Sequence, residues 1–247
     1  VLWLSLVPLI FSLASSAVGL DAKQTVARLE AAYGRARTLQ ATFLETYSEN
    51  GRIVRSESGT AYFRRPGRMR WQYEFPEKNL FVVDGKTAWF YVPADHTATR
   101  VPAKHSADWR TPFALLAGEA KLSRVCARVS LATSMRSESD SDVVLDCAPR
   151  GVTPEPADAH GYTNHVANTY NAAEQRQTSS ESEMIFFEIV RDTGQLVRVV
   201  IRQTGGLEIE FRFQNWRKDP PLPDSFFRFE PPSGVVIVNG ELPELPR

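Results

Sequence analysis

The stretch YFRRPGRMRWQYEFP, Tyr62 to Pro76, decides how the rest of the chain reads. Four arginines are threaded among five large aromatics around Pro66. Basic residues interleaved with aromatics suit a groove for single-stranded nucleic acid, where phosphates meet cations and bases stack on rings. They equally suit one strand of an ordinary sheet with a basic outer face. After Pro66 the pattern has period two: Met69, Trp71, Tyr73 and Phe75 alternate with Arg68, Arg70, Gln72 and Glu74. That spacing puts a greasy row on one face and a charged row on the other. Proline also pushes the residue before it, Arg65, towards extended backbone. The segment therefore reads as the end of one strand, a proline-marked connection and the start of the next.

The overall charge argues the same way. The 247 residues carry 29 basic and 29 acidic side chains, whereas a dedicated nucleic-acid binder shows a basic excess. No nucleic-acid partner is expected. The length suits one large domain or two small ones, with ample material for a core.

The N-terminal run VLWLSLVPLIFSLASSAVG is uncharged and apolar and ends in small residues, with Ser15 and Ala17 spaced as a cleavage site has them. It is read as a secretion signal over residues 1–19, with a membrane anchor or a buried core helix as alternatives. The basic leading region of such signals is absent, and the first residue is Val. Residues 20–247 are then one exported domain. The two cysteines, Cys126 and Cys147, lie in apolar-alternating runs flanking the polar stretch TSMRSESDSD. A hairpin through that stretch sets them roughly opposite each other on neighbouring strands. In an exported protein a disulfide is expected, and a pair of free buried thiols is the alternative. Two cysteines cannot hold zinc alone, and no histidine has helpful spacing.

Asp21 to Leu39 reads as one long helix, with Val26, Leu29, Tyr33 and Ala36 at helical spacing. Nearly everything after it has period two, including Leu207, Ile209, Phe211 and Phe213 against Glu208, Glu210, Arg212 and Gln214. Asn50-Gly51, Asp84-Gly85, Asp192-Thr193-Gly194 and Thr204-Gly205-Gly206 are hairpin signals. About ten strands joined by tight turns describe an antiparallel meander, and a sheet that wide must curl or close. Ser106 to Gly118 is a short apolar helix candidate, and residues 150–183, poor in aliphatics, read as a mobile insertion.

Chemistry is sparse. His96, His105, His160 and His165 fall in predicted loops, without metal spacing or a neighbouring nucleophile motif. No phosphate-cradling glycine loop or nucleophile elbow is present, and Glu208 and Glu210 face outward by alternation. No enzyme activity, metal or cofactor is expected. What remains is the apolar inner face of a curled sheet and two helices. These helices either plug the interior or form a lid over a space that binds something hydrophobic.

In their order, LQATFLETYSENG, SGTAYFRRPGRMRWQYEFP, LFVVDGKTAWFYVP, TPFALLAG and FFRFEPPSGVVIV resemble the periplasmic outer-membrane lipoprotein carriers, the LolA family. The resemblance spans about Asp21 to Val238, apart from the insertion. It implies a mainly β fold, an incomplete antiparallel barrel of about eleven strands closed by a helical lid. It further implies a periplasmic monomer that shelters the acyl chains of lipoproteins between an inner-membrane releasing transporter and an outer-membrane acceptor. In that family the arginine of the Arg-Pro pair bonds to the lid. It matches Arg65, and the lid matches the Thr111 to Gly118 region. Leu39, Phe43, Met69, Trp71, Tyr73, Trp89, Tyr91, Phe113 and Leu116 are then the expected cavity lining. Met69 stands where the family usually has an aromatic. The insertion and the cysteine pair are also departures from the pattern. A carrier or sensor of free lipid or glycolipid on the same fold is the alternative.

Overall fold

The computed structural model describes residues 21–103, 113–118, 121–150, 183–203 and 205–240. Residues 1–19, read above as a secretion signal, most of the 150–183 stretch, His105, His160, His165 and the start of the 106–118 helix candidate lie outside the described residues. Chain order is helix α1 (Ala22–Gly34), then strands β1 (Thr38–Glu49), β2 (Arg52–Arg64), β3 (Arg68–Phe75), β4 (Leu80–Val83), β5 (Thr87–Val92) and β6 (Thr97–Pro102). Two one-turn helices follow, α2 (Ala114–Ala117) and α3 (Leu122–Val125). The chain then continues through β7 (Cys126–Leu131), β8 (Asp142–Pro149), β9 (Met184–Val190), β10 (Leu196–Arg202), β11 (Leu207–Lys218) and β12 (Val236–Asn239).

These strands form one twelve-stranded sheet in the order β12-β6-β5-β4-β3-β2-β1-β11-β10-β9-β8-β7. It does not close: β12 and β7 are its two edges among the described residues. All pairings are antiparallel except β12 on β6. The sheet is one strand wider than the eleven expected. The turns fall where the glycine signals stand. Asn50 and Gly51 have φ of 50° and 77°, the left-handed pair that a tight β1–β2 hairpin requires.

The long helix ends sooner than its periodicity suggests. Asp21 caps it by accepting from the Lys23 N–H at 3.0 Å. It stops at Gly34, because from Thr38 the backbone pairs with β2 on one side and from Leu39 with β11 on the other. Ala36 is buried, but beyond the helix. Leu29 and Tyr33 pack into the main core, and the Tyr33 hydroxyl accepts from the Leu196 N–H at 2.8 Å. Gly194 lies so close to the helix backbone that a Cβ would come within 2.4 Å of the Arg28 carbonyl oxygen.

Phe75 corrects the inward row of β3. A bulge between Ser58 and Gly59 pairs Phe75 with Ser58 on the outer row, and Phe75 is 65% exposed. The outer face is not simply solvated either. The segment after β11 returns across it through a 3₁₀ turn, Asp224–Phe227. Arg64 and Arg68 both pair with Asp224, while Arg70 donates to the Phe226 carbonyl at 3.0 Å and lies over its ring. Three of the four arginines in the opening stretch thus pin the C-terminal strap.

Cys126 and Cys147 are bonded, with Cα atoms 5.4 Å apart. They are diagonal instead of opposite, because a bulge at Cys126/Arg128 sets Cys126 against Pro149 and Cys147 against Val129. The β7–β8 connection folds over the outer face of β9–β11. There Glu138 pairs with Arg212 and Arg198, and Glu210 pairs with both arginines.

The Arg212 hydrogen bond holds the Glu138 carboxyl below its ordinary range, and Arg68 followed by Arg64 does the same for Asp224. Both folded-state values are depressed, so the stability they contribute is present above the unfolded carboxylate range and lost as pH falls through the folded values. The urea midpoint is therefore expected to drop between about pH 5 and about pH 3. Glu138→Gln should shrink that drop, and an equally steep drop in the variant would remove Glu138 from the account.

Candidate functional site

The inner face of the sheet carries a continuous aromatic core. Trp71 is fully buried, with its ring 4.8 Å from Phe43, 5.8 Å from Phe63, 4.9 Å from Phe113 and 5.6 Å from Phe211. Phe113, immediately before α2, contributes its ring to this group, and Leu116 of α2 is buried in the same core. Leu39, Phe43, Trp71, Tyr73, Phe113 and Leu116 are therefore brought together, with Met69 half-buried at the margin.

Trp89 and Tyr91 are not among them. Trp71 pairs with Phe81 and Phe81 with Phe90, so Phe90 takes the inward phase of β5 and its neighbours face out. Both outward rings pack on Phe229 of the strap, at 5.4 and 5.2 Å. TAWFYV holds aromatics in both phases, and alternation alone does not choose between them.

The sequence reading also missed a polar group on the inner face. Glu45 follows Leu39, Ala41 and Phe43 in period two and is fully buried. It accepts from the hydroxyls of Tyr47 and Tyr73, the latter at 2.9 Å. Glu57 lies directly across from it on β2 and pairs with Arg55 at 2.6 Å. Burial pushes the Glu57 carboxyl up, against the opposing pull of Arg55. The alternation of Gly59, Ala61 and Phe63 carries Glu57 and Arg55 into the inward row, and that was the available signal.

Arg65 stands in the β2–β3 turn, before a cis proline. Among the described residues its guanidinium makes no hydrogen bond to α2. It donates to the carbonyls of Gly34 at 2.7 Å and Tyr33 at 3.0 Å at the C-terminal end of α1, where a cation complements the helix dipole. The same turn touches α2 through the Gly67 N–H, which donates to the Ala117 carbonyl at 3.2 Å. The Arg65 stem lies against Gly118, where a Cβ would come within 2.6 Å of it. One turn thus holds both helices that cover the aromatic core.

An apolar inner face, an open sheet edge and helices packed against the buried side define an incomplete antiparallel β-barrel covered by helices. A solved structure of an uncharacterized conserved protein from Thermus thermophilus shares this fold at a TM-score of 0.51 and 13% identity. The match covers 89% of this chain and 99% of that one. The family model for the outer membrane lipoprotein carrier protein LolA matches residues 34–141. An outer-membrane lipoprotein carrier protein of Nitrosomonas europaea is 29% identical over 87% of this chain and 88% of its own. One of Chromobacterium violaceum is 29% identical over 92% and 95%. The chain is thus similar to the outer-membrane lipoprotein carriers of the LolA family along most of its length.

Proposed function

We propose that this protein carries acylated lipoproteins through the periplasm, sheltering their acyl chains against the inner aromatic face. The observation that supports this reading best is the double grip of the Arg65 turn on α1 and α2, two helices whose buried side chains join the core of Trp71 and Phe113. Burying a methylene gains about 0.8 kcal/mol, so one sheltered sixteen-carbon chain gains on the order of 10 kcal/mol. A carrier also has to release its cargo. Rings that must be displaced before a chain can enter lower the net affinity, and so does a latch that favours the closed state. Arg65 acts as that latch, and Leu39, Phe43, Tyr73 and Leu116 line the path with the two rings. Loading falls to an inner-membrane releasing transporter and unloading to a tighter acceptor, so the carrier works as a monomer and needs no catalytic group of its own.

Mass spectrometry of the protein purified from its periplasm tests this directly. An acylated N-terminal peptide is expected, and recovery of free lipid alone would favour the free-lipid reading. Arg65→Leu removes both carbonyl contacts and is expected to slow lipopeptide handover to an acceptor at least tenfold, with the free energy of unfolding lowered by no more than about 2 kcal/mol. Equal handover rates in wild type and variant would eliminate the latch.

A further inference from the structure

Beside the Arg65 latch, α1, α2 and α3 enclose a pocket of about 570 Å³ whose chemistry the shelter for acyl chains does not use. One wall is the exposed face of α1, where Ala27, Ala31 and Gly34 recur at helical spacing and leave room. Leu115 adds a further apolar surface, and Lys121 and Arg124 project from the α3 turn. Three cations, Arg65, Lys121 and Arg124, face one carboxylate, Glu30. That carboxylate is already engaged, accepting from the Leu122 N–H at 3.0 Å. No carboxylate among the described residues forms an ion pair with any of the three cations. Arg65 gives its other donors to neutral carbonyls, and its buried Nε has no acceptor among the described residues. Among the described residues, the pocket therefore joins positive charge without an ion-pair partner to an apolar wall at the margin of the lipid-sheltering core.

We infer that this pocket seats the phosphate headgroup of an anionic phospholipid, with a tail lying along Ala27, Ala31 and Leu115. Lysine supplies a point charge and arginine a planar fork, the pair of donors that phosphate oxygens favour. The apolar wall asks for a tail, which a free anion lacks. The inference rests on the reading that the neighbouring core accepts acyl chains.

The probes are monomeric dihexanoyl phosphatidylglycerol, dihexanoyl phosphatidylcholine and inorganic phosphate, titrated calorimetrically into the full chain. Wild type is expected to bind the phosphatidylglycerol about tenfold more tightly than the phosphatidylcholine, as two or three exposed charge contacts provide, with the preference shrinking at high salt. Lys121→Glu with Arg124→Glu should abolish that preference while leaving the unfolding midpoint unchanged. Both side chains are exposed, so this variant is expected to fold. Equal affinities in wild type, or a preference that survives the double substitution, would overturn the assignment. Inorganic phosphate that displaces the phosphatidylglycerol at matched concentration would make the pocket a free-anion site and overturn it too. Tripalmitoylated lipopeptide uptake, measured in parallel, separates the two readings. Uptake that persists in the double variant leaves the carrier role standing whatever the headgroup result, and absence of uptake in wild type removes that role independently.

Discussion

Trp71→Ala is expected to lower the free energy of unfolding by about 3–5 kcal/mol and to tighten binding of an apolar probe in the same protein. The ring is fully buried and touches Phe43, Phe63, Phe113, Phe211 and Phe213. Its removal forfeits transfer free energy and leaves a void that so many rigid rings cannot close. That loss alone would describe any core tryptophan. The proposed carrier role adds the second half. If acyl chains enter by displacing rings, a void made in advance spares the ligand that displacement, and affinity rises as stability falls. Urea unfolding gives the first quantity, and titration with a fatty acid bearing its own fluorophore gives the second. Destabilisation with unchanged or weaker binding would make Trp71 solid core and send the ligand elsewhere. Trp71→Phe is the companion variant: it keeps most of the ring contacts and deletes an indole N–H that is buried without an acceptor among the described residues. It should cost less than about 1.5 kcal/mol.

The difference between what the sequence disclosed and what it withheld follows the range of the interactions concerned. Period-two rows are local, so β3 and β11 and the tight turns between strands were legible from spacing, as was the helical spacing of Leu29 and Tyr33. The phase of a strand is local only when one row is polar. Leu207 to Phe213 met that condition, whereas Trp89, Phe90 and Tyr91 did not, and the partner Phe81 decided their phase. Arg65 could be singled out from its neighbours beside proline, yet its acceptors lie 31 and 32 residues away and left no local trace. The outer face misled for a similar reason. Its arginines read as solvated because the strap that covers them comes from residues 222–229, whose spacing carries no period.

Arg198 shows the same effect at its largest energetic scale. By alternation it belongs to a solvated row, yet only 8% of it is exposed, because the β7–β8 connection closes over it. Its Nε donates to Glu188, 1% exposed, at 2.7 Å, and Glu188 also accepts from the Glu138 backbone N–H at 2.6 Å. Arg198→Ala is expected to destabilise the fold by about 3–5 kcal/mol, since it strands a buried carboxylate whose solvation was given up on folding. Removing both charges is a different experiment. Arg198→Met with Glu188→Leu replaces the pair by apolar side chains and should recover most of that loss, because the desolvation of both ions disappears together with their attraction. Equilibrium urea unfolding of the two single variants and the double gives the coupling directly. A double variant as unstable as the sum of its parts would mean that the pair has no special coupling and that each residue acts through its own packing. The network lies on the face opposite Trp71, so lipopeptide uptake by the double variant is expected to match wild type. That makes stability and carriage separable in one protein.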